Sequence, residues 1–224
     1  MVSNFWCILL ILLFIAIFLL NVLFVKVILQ DPSNHQSQQP QKVVVFLGSG
    51  GHTGEMLKII HTYKETLKHS SIVILYSEEN SLARFKLQFP DIKNVKYYMI
   101  GKAREVGSGK FSSIKSIVYT LLSIIDIIIK DVNYFVIDHK RTLILLNGPG
   151  SCVILSMIFQ IIKLITLKDY KHVKIVYVES LARCNKLSMT GLIIYYMKLA
   201  DEFLVQWPEM LKSYPYAKSY GILV

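Results

Sequence analysis

Apolar residues along the chain fall into short continuous runs separated by longer stretches with helical spacing. The short runs are typical of buried parallel strands, because aliphatic or aromatic side chains point to both of their faces. Strands are predicted at residues 43–47, 72–76, 95–100, 134–137, 143–146, 174–178 and 203–206. Helices are predicted at residues 56–67, 78–87, 114–129, about 152–167 and 188–199. This alternation predicts an α/β fold with a doubly wound, Rossmann-like parallel sheet and helices on both faces.

A longer apolar run precedes this pattern. Residues 5–25 contain no charged side chain, and about 20 such residues are enough to cross a bilayer as a helix. The alternatives are a buried helix and a cleaved signal peptide, but the run lacks the basic start and the small-residue cleavage site of the latter. The following Lys26 and Lys42 would place the rest of the chain in the cytosol. We therefore predict a transmembrane anchor at 1–29, a linker at 30–41 and one domain at 42–224.

The segment KVVVFLGSGGHTGEM, residues 42–56, joins a predicted strand to a predicted helix through a glycine loop. This arrangement lets backbone N–H groups and a helix N-terminus face a phosphate. Its spacing, G-x-G-x-x-x-G, is not the G-x-G-x-x-G of a dinucleotide site, although a nicotinamide site and a plain structural turn remain alternatives. His52 brings an imidazole into this loop, and alone it could be an ordinary loop histidine. The candidate phosphate-binding residues are Gly48, Ser49, Gly50, Gly51, Thr53 and Gly54.

Further polar loops follow other predicted strands, at residues 101–110, 147–152 and 179–186. The carboxyl ends of parallel strands meet at one edge of a sheet, so we expect these loops and the loop at 48–54 to line a single cleft. Taken alone, the basic loop at 101–110 could equally be a solvated surface loop. The cations of this cleft, which suit a diphosphate ligand, are Lys102, Arg104, Arg183 and Lys186.

The chain of 224 residues carries a formal net charge of +10, which calls for an acidic partner. The Lys and Arg residues are scattered and the aromatic residues lie within apolar runs, so a membrane surface or a phosphorylated lipid explains the charge better than nucleic acid does. Three cysteines without C-x-x-C spacing favour a reducing compartment over a disulfide framework. No metal or cofactor motif is present in the sequence, and none is expected.

Two apolar segments have two interpretations each. The predicted helix at 114–129 is either a core helix or an interfacial helix that lies on a bilayer, because its apolar face is wide enough for both. The Tyr-rich tail, residues 213–224, either docks a partner or folds back on the domain.

Six motifs together carry a family resemblance. In chain order they are GSGGHTGEM, GKAREVG, NGPGSC, YVESLAR, LSMTG and ADEFLVQW. They closely resemble the membrane-anchoring subunit of the two-subunit UDP-N-acetylglucosamine transferase of asparagine-linked glycosylation, and the resemblance covers residues 42–224. That family is similar to the bacterial GlcNAc transferase that acts on the peptidoglycan lipid precursor. Ser108, Ser151 and Cys184 depart from the expected pattern without removing a charge.

The resemblance implies the N-terminal, acceptor-binding half of a GT-B glycosyltransferase that is inactive alone. A soluble partner would bind UDP-GlcNAc, and the complex would add the second GlcNAc to dolichyl-diphosphate-GlcNAc on the cytosolic face of the ER membrane. His52 would be the general base, with Glu55 and Glu179 as alternative bases. A non-catalytic membrane scaffold with a vestigial cleft, or a membrane-tethered dinucleotide-dependent oxidoreductase, are the rival interpretations. Acceptor-binding residues would be those of the glycine loop together with Lys102, Arg104, Asn147, Gly148, Gly150 and Arg183.

Overall fold

The computed structural model describes residues 39–101, 110–137, 140–166 and 172–224. The predicted transmembrane anchor, most of the predicted linker, and the predicted phosphate contacts Lys102 and Arg104 lie outside these ranges. Within them, no helix is both long enough and apolar enough to cross a membrane.

The described residues form a six-stranded parallel sheet with strand order β3-β2-β1-β4-β5-β6. This confirms the predicted doubly wound sheet. The order reverses between β1 and β4, which pair in register from Lys42 opposite Thr142 to Val45 opposite Leu145. Such a reversal leaves a crevice beyond the carboxyl ends of the two strands. The strands are β1 Lys42–Leu47, β2 Ser71–Tyr76, β3 Val95–Met99, β4 Thr142–Asn147, β5 Val173–Val178 and β6 Glu202–Leu204.

Helices cover both faces of the sheet, as predicted. Alternate residues of each strand point to opposite faces, so Val43 and Val45 pack with one cluster while Val44 and Phe46 pack with the other. The first cluster contains residues of α1 and α3, and the second contains residues of α4, α5 and α6. The helices are α1 Gly51–Thr62, α2 Lys64–Leu67, α3 Glu79–Gln88, α4 Lys110–Lys130, α5 Ser151–Ile165 and α6 Met189–Tyr196, followed by a 3-10 turn at Pro208–Lys212.

The prediction of a strand at residues 134–137 is wrong. Asn133–Ile137 forms a π-helical turn directly after α4, and β4 takes the place beside β1. A short apolar run has no periodicity that separates a strand from a helical segment. Here tertiary contacts decide the conformation, because the Phe135 ring packs 6.4 Å from that of Phe159 and the Tyr134 hydroxyl lies 2.6 Å from Ser71 Oγ.

Helix α4 has two apolar faces. Ile124 and Ile127 are buried in the cluster that packs on the sheet, which confirms the interpretation as a core helix for this side. The opposite side is exposed although it is also apolar, and Leu122 and Ile129 keep 59% and 68% of their surface accessible. We call this opposite side the outer face of α4; its exposed apolar residues are Ile117, Val118, Tyr119, Leu121, Leu122, Ile125 and Ile129.

The C-terminal tail folds back on the domain. The backbone N–H of Leu223 donates to Gln206 Oε1 at 3.2 Å, and Leu223 packs against a buried cluster that includes Ile59 of α1. Tyr220 and Ile222 remain exposed, so the tail presents apolar surface even in this position.

Candidate functional site

The loop between β1 and α1 is shaped by buried hydroxyl groups. Thr53 Oγ1 and Ser81 Oγ donate to the carbonyl oxygen of Gly48 at 2.9 Å and 2.7 Å. Gly50, at φ 58°, precedes α1, and among the described residues no side chain caps the N-terminus of this helix. Within the same part of the chain, a Cβ at Gly50 or Gly51 would meet no heavy atom within 4 Å. The loop therefore offers the N–H groups of a helix start to open space, as an anion-binding loop requires.

His52, the second residue of α1, lies against the loop that follows β4. Its Nδ1 is 3.2 Å from Asn147 Oδ1. A Cβ at Gly148, which has φ +109°, would come within 2.4 Å of His52 Cγ, so the imidazole occupies the space that a side chain would need. A Cβ at Gly48 would likewise lie 2.8 Å from Pro149 Cδ. These two glycines allow the loops to pack together at the point where the strand order reverses.

Asn147 and Glu55 join three loops through hydrogen bonds. Asn147, the last residue of β4, is fully buried, and its Nδ2 donates to Glu55 Oε2 at 2.9 Å and to the carbonyl oxygen of Val178 at 3.1 Å. Glu55 Oε1 accepts from Ser180 Oγ at 2.7 Å and from the backbone N–H of Leu181 at 3.2 Å. We call the joined loops, residues 48–54, 147–152 and 179–188, the rim.

Glu179 anchors the third loop of the rim from inside. Its carboxylate is 1% exposed and accepts from the backbone N–H of Ser180 at 3.0 Å and from both the N–H and the hydroxyl of Ser188 at 3.1 Å. Burial raises the pKa of this carboxyl group, and the hydrogen bonds from Ser180 and Ser188 counteract part of that rise. A Cβ at Gly191 would lie 1.9 Å from Glu179 Oε2, so the glycine of the LSMTG motif leaves room for the carboxylate.

The predicted meeting of the loops at 48–54, 147–152 and 179–186 is confirmed. The fourth loop, residues 101–110, lies mostly outside the described residues, and its first residue, Gly101, follows the edge strand β3. Thr53 points into the protein, so a ligand would meet its backbone and not its hydroxyl. Burial raises the pKa of Glu179, and the positive charge of the exposed Arg183 side chain counteracts part of that rise. Gly150 precedes α5 with helical backbone angles.

Sequence analysis did not identify two residues of α3 that contact the glycine loop. Ser81 donates to the carbonyl oxygen of Gly48 on the buried side of the loop, and Arg84 lies on its exposed side. Arg84 Nη1 donates to the carbonyl oxygen of Gly50 at 3.4 Å, and a Cβ at Gly54 would be 3.4 Å from Arg84 Nη2. No motif marks either residue, because their places depend on how α3 returns from β2 to pack beside β1.

The described residues contain no group of three or more His, Cys, Asp or Glu side chains that could hold a metal ion. What the rim brings together is a helix start without a side-chain cap, an arginine above it, and an imidazole fixed at its side. An anion could bind at the helix start while the imidazole accepts a proton from a neighbouring group.

The sequence comparisons with known proteins point to the same family. A family described as "Oligosaccharide biosynthesis protein Alg14 like" matches residues 43–223. A protein of Kluyveromyces lactis is 39% identical over 244 residues, covering 98% of each chain, and one of Saccharomyces cerevisiae is 45% identical over 194 residues, covering 84% of this chain and 79% of its own. Both are named UDP-N-acetylglucosamine transferase subunit ALG14. Among solved structures, MurG of Acinetobacter baumannii superposes with a TM-score of 0.46 at 12% identity, over 75% of this chain and 42% of its own.

Proposed function

The chain belongs to the Alg14 family of oligosaccharide biosynthesis proteins, and on that premise we propose that it is the acceptor-binding subunit of a two-subunit UDP-N-acetylglucosamine transferase. The acceptor is dolichyl-diphosphate-GlcNAc, and the product carries a second GlcNAc. A soluble catalytic subunit binds UDP-GlcNAc, and this chain has no transferase activity without it. The two chains together form the cleft of a GT-B glycosyltransferase.

The observation that carries the proposal is the position of His52. It stands at the start of α1, between the open glycine loop and Gly148, and its Nδ1 lies 3.2 Å from Asn147 Oδ1. A diphosphate bound at the helix start would place the first sugar of the acceptor beside the imidazole. A loop that served only as a structural turn would not require an uncapped helix start next to a clamped histidine.

The reaction is an inverting displacement at the anomeric carbon of the donor sugar. Nε2 of His52 accepts the proton of the acceptor 4-hydroxyl as its oxygen forms the new bond to that carbon. The bond from the anomeric carbon to the diphosphate of the donor breaks, and UDP leaves with the electron pair. General base catalysis of this kind contributes about 10²–10⁴-fold to a rate.

Acceptor binding rests on the glycine loop and on cations around it. The backbone N–H groups from Gly50 onwards and the positive end of α1 face the diphosphate, and Arg84 adds a guanidinium above the loop. Lys102 or Arg104 of the basic loop completes the charge compensation. In this arrangement no metal ion is required, because helix N-termini and cations can neutralise a diphosphate.

The alternative bases Glu55 and Glu179 hold the loops in place. Both oxygens of Glu55 accept hydrogen bonds from the other two loops of the rim. Glu179 is buried and its oxygens accept three hydrogen bonds, so an acceptor hydroxyl could not reach it without opening the loop. We assign both carboxylates to the support of His52 and not to proton transfer.

The chain also brings the transferase to the ER membrane. Its N-terminal residues 1–29 anchor it as a single span, and the domain lies on the cytosolic side. The outer face of α4 rests on the same membrane, since a bilayer surface would cover apolar side chains such as Leu122 and Ile129 that the fold leaves exposed. The exposed residues of the tail, among them Tyr220 and Ile222, contribute to docking of the soluble subunit.

The test is co-expression of the chain with its soluble subunit and an assay of GlcNAc transfer from UDP-GlcNAc to a dolichyl- or phytanyl-diphosphate-GlcNAc acceptor. His52→Ala should lower turnover at least about tenfold while membrane attachment and complex formation persist. His61→Ala is the matched control, because His61 is an exposed histidine of the same helix. Unchanged turnover in His52→Ala would remove His52 from the mechanism. If glycine-loop substitutions left transfer intact as well, the non-catalytic scaffold would be the better description.

A further inference from the structure

We propose that Asn147 is a positioning residue that fixes the tautomer of His52, so that Nδ1 carries the hydrogen and Nε2 keeps the lone pair that accepts the substrate proton. The inference concerns how the base is prepared, and its catalytic consequence rests on the proposed function. It is carried by the hydrogen-bond partners of the Asn147 amide.

The orientation of this amide is set by two acceptors. A primary amide has two N–H donors and one carbonyl oxygen. Asn147 Nδ2 faces the carboxylate of Glu55 at 2.9 Å and the carbonyl oxygen of Val178 at 3.1 Å, and neither group can donate when Glu55 is ionised. A flipped amide would set its oxygen against two other oxygens in a buried place and leave both of these acceptors without a donor, which is unfavourable. The oxygen Oδ1 therefore faces His52.

The tautomer of the imidazole follows from this orientation. An amide oxygen only accepts hydrogen bonds, so the imidazole nitrogen beside it, Nδ1, must carry the hydrogen when His52 is neutral. The second nitrogen, Nε2, is then the acceptor. Free histidine side chains favour the opposite tautomer, so the contact with Asn147 selects the form that a base at Nε2 requires.

Two further contacts keep the pair in place. Glu55 Oε1 is held by Ser180 Oγ and by the backbone N–H of Leu181, so the carboxylate that orients Asn147 is itself oriented. Gly148 lies against the same part of the ring, because a Cβ there would come within 2.4 Å of Cγ and 2.7 Å of Nδ1. The Cγ–Nδ1 side of the imidazole is thus packed against both Gly148 and Asn147.

The primary test reads the tautomer directly by nuclear magnetic resonance. The complex of the full chain with its soluble subunit is labelled with ¹⁵N-histidine in detergent, and the His52 signals are assigned by their loss in His52→Ala. In the wild-type protein, long-range ¹H–¹⁵N correlations at pH 8 should show the hydrogen on Nδ1. In Asn147→Ala the signals should move toward the Nε2–H form. A wild-type spectrum with the hydrogen on Nε2 would overturn the proposal.

The kinetic test separates positioning from simple support of the fold. Asn147→Ala should lower kcat about tenfold to a hundredfold with little change in the KM for UDP-GlcNAc. Gln160→Ala is the matched control, since it also removes a buried amide, one that donates to the carbonyl oxygen of Leu199 at 3.0 Å and lies away from the rim. Equal losses of kcat in both variants would assign Asn147 to the fold alone and overturn its positioning role.

A second variant changes the amide orientation without removing it. In Glu55→Gln the new side chain keeps its oxygen toward Ser180 and Leu181 and turns its NH₂ group toward the Nδ2 of Asn147. Two donors then face each other, and a measurable share of His52 should shift to the Nε2–H tautomer. No shift in this variant and none in Asn147→Ala would overturn the proposal. A shift accompanied by full activity of His52→Ala would support the tautomer selection and reject only the base role in the proposed function.

Discussion

The two strand–glycine-loop–helix units of this chain look alike in sequence but differ in the space around their glycines. In the first unit, a Cβ at Gly50 or Gly51 would meet no heavy atom of the described residues within 4 Å. In the second, the place of a Cβ at Gly148 is filled by the His52 ring, and Ser151 and Cys152 are buried where α5 begins. The start of α1 is thus accessible among the described residues, whereas Gly48 and Gly148 lie where the two loops pack against each other.

This difference shows that a glycine pattern does not by itself define a binding loop. Gly50 and Gly51 leave the backbone accessible, as a ligand site needs, whereas Gly48 and Gly148 let another part of the protein approach the backbone. Gly48 and Gly148 each follow a strand directly, and Gly50 and Gly51 lie two and three residues after Gly48. The two uses differ in whether a residue of the other loop occupies the space beside the glycine. Substitutions that fill this space test the difference.

A substitution that fills the space beside Gly148 should have the largest effect on turnover. In Gly148→Ala the new methyl group would overlap the imidazole of His52, 2.4 Å from Cγ, at a backbone φ of +109° that disfavours alanine. Turnover of the complex should fall about a hundredfold or more, as expected when a general base is displaced. Gly221→Ala is the control for backbone strain, and the thermal unfolding of the two variants is compared. Gly221 also has a positive φ, of +81°, but a Cβ there would meet no heavy atom of the described residues within 4 Å. Wild-type turnover in Gly148→Ala would show that the two loops do not form one site.

Filling the open loop should have a smaller effect on activity and the opposite effect on stability. Gly51 begins α1, where alanine favours the helix by up to about 1 kcal/mol, and a Cβ there would meet no heavy atom within 4 Å in the part of the chain that the structure describes. The Gly51→Ala domain should unfold at the same or a higher denaturant concentration. Its KM for the acceptor should nevertheless rise about tenfold, because the methyl group occupies space that we assign to the diphosphate. An unchanged KM would mean that the ligand does not approach this part of the loop.

Removing the cation above the open loop should weaken binding less. Arg84 is exposed, so a contact with a phosphate would be screened by solvent and salt. Arg84→Ala should raise the KM for the acceptor about threefold to fivefold at low ionic strength, and this difference should shrink as salt is added. Lys86→Ala removes the same charge from the same helix, but its Nζ lies 4.9 Å from the Tyr97 ring centroid and away from the loop. Equal effects of both variants would indicate a general charge effect.

The smallest effect concerns the buried anchor of the third loop. Burial raises the pKa of Glu179 in the folded chain above its ordinary value of 4.5, so the folded state binds the proton more tightly than the unfolded state. The associated stability is therefore fully present below pH 4.5 and is lost as the pH rises through the raised pKa. Denaturant unfolding of the wild type should lose stability relative to Glu179→Gln over this range, by at most about 1.4 kcal/mol per pH unit. Parallel pH curves for the two proteins would contradict this.

Sequence analysis predicted the fold better than it predicted the site. Strand positions and the doubly wound sheet follow from short β-branched runs, which are local properties of the chain. The segment at 134–137 was mistaken for a strand because contacts with Phe159 and Ser71, not local pattern, determine its conformation. Periodicity alone was equally unable to choose between the core and membrane interpretations of α4, and the structure shows that one helix has apolar residues on both sides.

For the site, sequence analysis found the loops but not the bonds between them. The glycine loops can be recognised from their composition, and in a parallel sheet the loops that follow the strands lie at one edge. No sequence pattern marks Arg84 and Ser81 as site residues, because they contact the loop from a helix whose placement depends on packing. The link from Glu55 through Asn147 to His52 spans residues far apart in the chain, and only the strand register fixes its distances.

The pairing of β1 with β4 also has a consequence for how the protein is made. His52 and Asn147 are 95 positions apart, so at about 5–20 residues per second a ribosome needs roughly 5–20 s after reaching the first to add the second. During that interval β1 can pair with β2, but its other edge has no native neighbour. A nascent chain in this state exposes an unpaired strand edge of the kind that chaperones protect. The contact between the first two loops of the rim therefore forms only after the fourth strand has been made.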